Sequence, residues 1–266
     1  MSTAFVDVSR LNKTYSRGPI ATPVLRDVSM TFERGSFSAI VGPSGCGKTT
    51  LLSVLGALDA GDSGSVVVDG LDLREASARE LTEYRRRSIG FVFQFYNLLP
   101  SLTAVENVES GLEFFGLRAP ARRARAMDWL ARVGMADLAA RFPAQLSGGQ
   151  QQRVAVARVL AREPKLLLAD EPTGNLDEES GERIIACMKS LQRESGVTCL
   201  VVTHDVELAA RADAAVRLRD GRVVEDELAR SGEVPIVRPR RQSGVDEALG
   251  VGLGGSHGLR AAGSWR

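Results

Sequence analysis

The chain has 266 residues and little that would mark an exported or membrane-embedded protein. Its three cysteines, Cys46, Cys187 and Cys199, lie far apart and lack the spacing of metal ligands. That scarcity points to a reducing, cytosolic setting without disulfides. Met1 to Arg10 has neither the basic start nor the apolar run of a secretion signal. No apolar run approaches the ~18 residues that cross a bilayer, so work at a membrane would require a partner. A formal net charge of +1 gives no global field suited to nucleic acid or a lipid surface. No internal repeat is visible. What is present, 44% apolar and 25% charged residues, is the profile of an ordinary globular protein with a substantial core, as one large domain or two small ones.

The first seventy residues alternate in the strand period at FVDVSR, VSMTFERGSFSAIVG and SVVVDG. Later runs, IGFVFQ, LLLADEP and TCLVVTHD, are continuous and β-rich, as strands buried on both faces of a parallel sheet are. Helical patterns lie between them, over Lys48 to Leu58, Ala121 to Val133, Gln150 to Ala161 and Glu178 to Glu194. Strands alternating with helices predict a doubly wound α/β core. From about Asn97 to Leu160 no strand is evident, which reads as a helical insertion. Asp220-Gly221, inside AAVRLRDGRVVEDE, predicts a β-hairpin over 214–227. Residues 235–266 are rich in Gly, Arg, Ser and Ala and predict a disordered tail; a basic arm touching lipid or a partner is the sharper alternative.

GPSGCGKTT runs through Gly42, Pro43, Ser44, Gly45, Cys46, Gly47, Lys48, Thr49 and Thr50, between the apolar SFSAIV and helix-forming LLSVLGAL. It fits G-x-x-x-x-G-K-[ST] in its strand–loop–helix setting. Glycines let backbone N–H groups wrap a β-phosphate, Lys48 supplies a point charge between β- and γ-phosphates, and the Thr49 hydroxyl can ligate Mg²⁺. Cys46 reads as a small solvent-facing residue, with a redox brake as the alternative. In LLLADEPTGNLD an apolar strand ends in Asp170, placed to hold Mg²⁺ through water. Glu171 follows and, by strand alternation, points to the other side, where it can orient and deprotonate a water. Loop and carboxylates together predict ATP or GTP hydrolysis.

A second anion site is written at QLSGGQQQRVAVARVL, where a serine and two glycines open a helix. Unpaired N–H groups and the helix dipole favour an anion there. With LSGGQ the ordered set of motifs resembles the ATP-binding cassette (ABC) ATPases, over roughly Phe5 to Glu227. The resemblance implies a P-loop NTPase core with a mainly parallel sheet, an N-terminal antiparallel β subdomain and an inserted α-helical subdomain at about 97–160, within an ATPase domain of residues 1–234. It implies ATP and Mg²⁺ as ligands, with Thr49, Gln94 and Asp170 around the metal. Tyr15 then stacks on adenine, Gln94 senses Mg²⁺ and water, and His204, after the strand TCLVVT, stabilises the γ-phosphate. Ser147, Gly148, Gly149 and Gln150 form the signature, which in this family caps the nucleotide of a second subunit packed head to tail. Asp177 belongs to the family's linking loop and equally suits a cap on the following helix. Arg85, Arg86 and Arg87 read as a solvated face.

RRRSIGFVFQFYNLLPSLTAVENV is similar to one branch, the lipoprotein-releasing and macrolide-export ATPases. That likeness implies a peripheral subunit on the cytoplasmic face of a membrane, driving an integral permease with an extracytoplasmic domain. Phe95 to Leu102 and the helix after Thr103 would form the permease groove, while Phe91 and Phe93 read as core. Other classes are a regulatory ATPase of the cell-division kind and a soluble ABC ATPase of repair or translation. The latter usually has a coiled-coil insertion or two cassettes, and the chain has no basic surface for nucleic acid.

Overall fold

The computed structural model describes residues 4–224; the tail 235–266 and the end of the expected hairpin, 225–227, lie outside the described residues. The continuous apolar runs become the centre of a six-stranded sheet. These are β3 (Phe37–Val41), β7 (Leu166–Asp170) and β8 (Thr198–Thr203), nearly every residue of which is buried. β6 (Ile89–Val92), β9 (Ala214–Arg219) and β10 (Arg222–Val224) complete the order β10-β9-β3-β8-β7-β6, parallel except for the β9–β10 hairpin at the edge. Alternation splits each central strand between two cores. Leu166 and Leu168 pack toward the N-terminal sheet, while Leu167 and Ala169 pack toward the long helices.

That N-terminal sheet is antiparallel, in the order β2-β1-β4-β5, from β1 (Val6–Arg17), β2 (Ile20–Phe32), β4 (Ser63–Val68) and β5 (Leu71–Asp72). The stretch VSMTFERGSFSAIVG, which reads as one alternating pattern, is divided between β2 in this sheet and β3 in the parallel one. Residues 33–36 make the crossing, and only the β2 part alternates in burial. Behind the sheet lies α1 (Lys48–Leu55), shorter than expected because Gly56 caps it and Ala57 takes a positive φ of 52°.

Between β6 and β7 the described chain forms α3 (Ala104–Gly111), α4 (Ala119–Arg132) and α5 (Gly148–Leu160) and no strand. Earlier, α2 (Ala78–Glu83) runs into a π-helical turn over 84–88, and later come α6 (Glu178–Ser195) and α7 (Val206–Ala210). Ser77, Thr103 and Ser147 start α2, α3 and α5 with reciprocal capping boxes to Glu80, Glu106 and Gln150. Fully buried Asn107 fixes the loop before α3, accepting from the Leu99 N–H and donating to the carbonyls of Leu99, Leu102 and Thr103.

The arginine run is less idle than a solvated face. Arg86 and Arg87 are exposed, but Arg85 is half-buried and donates to the Ala57 carbonyl at 2.9 Å. Arg162 in turn donates to the carbonyls of Arg85 and Arg86. One guanidinium, that of Arg162, thus holds two carbonyls of the π turn. Phe91 and Phe93 stack at 5.4 Å between ring centroids and are half-buried along a hollow. Phe91 packs against the core beneath the N-terminal sheet as expected, whereas Phe93 differs from expectation and joins neither core cluster.

Candidate active site

The loop after β3 turns sharply onto α1. At Gly47, φ is +107°, and a Cβ there would stand 2.9 Å from the Val24 carbonyl. At Gly42 a Cβ would meet the Leu218 carbonyl at 2.2 Å. Both positions need glycine for conformation or closeness. Lys48 opens α1 with a side chain only 5% exposed, donating to the carbonyls of Gly42 at 2.8 Å and Pro43 at 3.0 Å. Cys46 faces inward instead of toward solvent, and burial pushes its thiol up, away from thiolate reactivity. The redox-brake alternative thereby loses its chemistry.

The loop borders a recess of about 400 Å³, lined by Ser44, Gly45, Gly47, Lys48, Thr49 and Thr50 together with Gln94, Asp170 and Glu171. Asp170 ends β7 opposite Thr49, with which it shares a side-chain hydrogen bond. Burial raises the Asp170 carboxyl above its ordinary range; that hydrogen bond opposes the rise, and adjacent Glu171 adds to it. Strand alternation would send Glu171 away from Asp170. Instead the backbone enters the left-handed region at Glu171, with φ of 44°, while its N–H bonds to the Val202 carbonyl at 3.0 Å. Both carboxylates therefore face one recess.

Glu171 lies between two cations or donors. Oε1 is 3.8 Å from Lys48 Nζ, and Oε2 is 3.0 Å from His204 Nδ1. A carboxylate only accepts, so the imidazole donates from Nδ1. For Nε2 also to donate to a phosphate, both ring nitrogens would have to carry protons. Gln94 sits two residues beyond β6 and is tied to the loop after Glu171: its Nε2 donates to Asn175 Oδ1 at 3.3 Å, and Asn175 Nδ2 donates to the Gln94 carbonyl at 3.1 Å. The oxygens of Thr49, Asp170 and Gln94 are hard ligands that suit Mg²⁺, with substrate phosphates completing its shell. No cluster of three or more His, Cys, Asp or Glu among the described residues could hold a metal alone.

Tyr15 is 43% exposed on β1, its hydroxyl donating to Asp59 at 2.6 Å and within reach of Thr50. Lys13 lies 4.9 Å from its ring centroid, so one face is occupied by a cation and the other is available for stacking. Asp177 caps α6, accepting from the Ser180 N–H at 2.9 Å, and borders a separate hollow of about 370 Å³ that Glu171 and His204 also face. Ser147, Gly148, Gly149 and Gln150 do not line the phosphate-loop recess. Ser147 is exposed at the start of α5; its Oγ accepts from the Gln150 N–H at 3.3 Å, and Gln150 Oε1 accepts from the Ser147 N–H at 2.9 Å. This box leaves the Gly148 and Gly149 N–H groups outside it. Sequence reasoning did not single out Asp59 or Gln152; their contacts join segments far apart in the chain, for which a single sequence carries no local signal.

A family model described as "ABC transporter" matches residues 25–174. The lipoprotein-releasing system ATP-binding protein LolD of Anaeromyxobacter dehalogenans is 47% identical over 227 residues, covering 85% of this chain and 95% of that protein. The macrolide export ATP-binding/permease protein MacB of Rhodopseudomonas palustris is 43% identical over 245 residues, covering 90% of this chain and 37% of that longer protein. Among solved structures, the dimeric post-hydrolysis state of the ATP-binding cassette MJ0796 bound to ADP and Pi superposes with a TM-score of 0.77 at 42% identity, covering 84% of this chain and 97% of that one. A cassette of that name comes from Methanocaldococcus jannaschii.

Proposed function

Because the chain belongs to the ABC transporter ATP-binding family, we propose that it is the energy-supplying subunit of a membrane permease with an extracytoplasmic domain, seated on the cytoplasmic face. It is an ABC-type ATPase that binds nucleotide and powers transport of the export or lipoprotein-release kind. The observation that carries the site assignment is the meeting of Lys48, Thr49, Gln94, Asp170 and Glu171 in one recess, while the Ser147 helix start lies outside it. We assign the catalytic unit to residues 1–234, with about 97–160 as its helical subdomain.

In this reading the phosphate loop and Lys48 hold the β- and γ-phosphates, and Tyr15 stacks on adenine. Thr49 and Asp170, with Gln94, would hold Mg²⁺, whose charge offsets that developing on the phosphates. Glu171 already has its carboxylate beside Lys48 and accepts the proton of the attacking water. His204 donates to the γ-phosphate. Ser147 and the N–H groups of Gly148 and Gly149 close the nucleotide of the opposite subunit, so ATP joins the dimer and hydrolysis releases it.

An apolar edge fits the permease contact. Phe95 is 71% exposed and Leu99 46%, and Leu58, 56% exposed, lines a hollow with Phe91 and Phe93. Exposed apolar groups of this size suit an interface. The test is to trap Glu171→Gln protein with ATP in detergent-solubilised membranes of the source organism and identify what co-purifies. An integral membrane protein with a large outer domain is the expected result. Soluble partners alone, with the dimer demonstrably formed, would overturn the permease assignment.

A further inference from the structure

Helix α5 carries a second feature behind its exposed start. Gln152 is 0% exposed, and its Nε2 lies 2.8 Å from the Pro172 carbonyl oxygen and 3.4 Å from that of Phe93. Both neighbours only accept, so chemistry fixes the amide orientation, with nitrogen between the two carbonyls. Oε1 is then buried without a hydrogen-bond partner. Pro172 follows Glu171, and Phe93 precedes Gln94. One side chain thus grips the backbone of both loops that handle water at the active site. Arg158, also on α5, donates to the carbonyls of Asn97 at 2.6 Å and Tyr96 at 3.2 Å, holding the same segment further along.

We propose that Gln152 is a positioning residue, through which engagement of the α5 start by the partner's nucleotide sets Gln94 and Glu171 of its own subunit. The inference rests on the head-to-tail dimer reading above. The two bonds from Nε2, 2.8 Å to Pro172 and 3.4 Å to Phe93, differ in length, so a small shift of α5 changes its hold on the two loops unequally. Packed interiors transmit such shifts instead of absorbing them, and Gln152 is the polar link from α5 to both loops at once.

Two variants of the full chain test this. Gln152→Met keeps volume and removes the donor. Its affinity for a fluorescent ATP analogue should stay within twofold of wild type. In the Glu171→Gln background its ATP-driven dimer should still form, while in the otherwise wild-type chain kcat falls at least tenfold. Gln152→Glu keeps shape but sets a carboxylate against two carbonyls; its acid form regains one donor. The ratio of its kcat to that of wild type should therefore rise as pH is lowered from 8 to 6. Unchanged kcat in Gln152→Met, or loss of ATP affinity and dimer in step with kcat, would overturn the proposal. Should Gln152→Met fail to fold, the Gln152→Glu profile decides, a rising ratio supporting the link and a flat one refuting it. Glu171→Gln, measured alongside, keeps the two readings apart. Normal turnover there defeats the catalytic assignment itself, whatever Gln152 does.

Discussion

At the phosphate loop, Lys48 and Thr49 already have partners from their own chain, whereas at the start of α5 the capping box involves Ser147 and Gln150 and leaves the N–H groups of Gly148 and Gly149 outside it. In the first region the central cation is inside, with Lys48 5% exposed, bonded to loop carbonyls and 3.8 Å from Glu171, while Pro43, Ser44, Gly45 and Thr49 lie exposed around it. The second begins at exposed Ser147, continues through half-buried Gly148, Gly149 and Gln150, and is capped by its own serine and glutamine. A site finished within one chain can hold its central charge in place before ligand arrives. Half a site has to remain on the surface, held rigid by a capping box, until the other half docks. Substitutions in the first region should therefore act on each isolated subunit, and those in the second only on the pair.

The largest effect expected is from Lys48→Ala. Losing a charged donor aimed at the phosphates should lower turnover by roughly 100-fold or more and weaken ATP binding in the monomer. Steady-state phosphate release and equilibrium binding at low protein concentration would show both, and retention of either would refute the loop assignment. Next is Glu171→Gln, which removes the base but keeps the contact geometry. Turnover should fall roughly 10²–10⁴-fold with binding preserved, and size-exclusion with ATP should reveal an accumulated dimer. Hydrolysis at the wild-type rate would remove Glu171 from the mechanism.

Ser147→Ala sharpens the contrast from the other side. Monomer ATP affinity should be unchanged, dimer formation weaker by about tenfold, and the lost cap should cost about 1 kcal/mol of helix stability. For a domain of this size that is a fall in Tm of about 2–4 °C. A Ser147→Ala protein that binds ATP poorly as a monomer would erase the distinction between the two regions.

How far the sequence could be read follows the same divide between local and distant. Strand–loop–helix at 42–50, the apolar strand before Asp170 and the serine-glycine start of α5 are short-range patterns, and the structure has each where its residues indicate. The meeting of the first two in one recess follows from the parallel order β3-β8-β7-β6, which the α/β alternation implies. Features that depend on contacts across the chain stayed hidden. The split of 28–42 between two sheets, the inward turn of Cys46 and the backbone flip at Glu171 leave no periodic trace. Arg85 resembled a surface charge because nothing local shows that the π turn would bring it to the Ala57 carbonyl. The β1–β2 hairpin was legible only in parts, since β1 breaks register near Arg10, whose φ is +50°.

The smallest expected effect concerns the rim of the first region, where Asp59 holds Tyr15 and Lys13 together at 2.6 and 2.7 Å. Burial works against the Asp59 carboxylate, but hydrogen bonds from Lys13 and Tyr15 outweigh it and leave its pKa lowered. Asp59→Asn should free the ring from its fixed orientation, weakening ATP binding by about fivefold, the equivalent of about 1 kcal/mol, with kcat unchanged. The sign of the pH dependence follows from the lowered pKa. The carboxylate's stabilisation is fully present above the ordinary aspartate range and is lost only as pH falls through the lower folded value. Melting curves should therefore show a constant gap between wild type and Asp59→Asn from pH 6 to 8, narrowing only in acid. A gap that opened or closed near neutral pH would mean that another group, not Asp59, sets the position of Tyr15. The first region would then depend on its rim more than the buried Lys48 suggests.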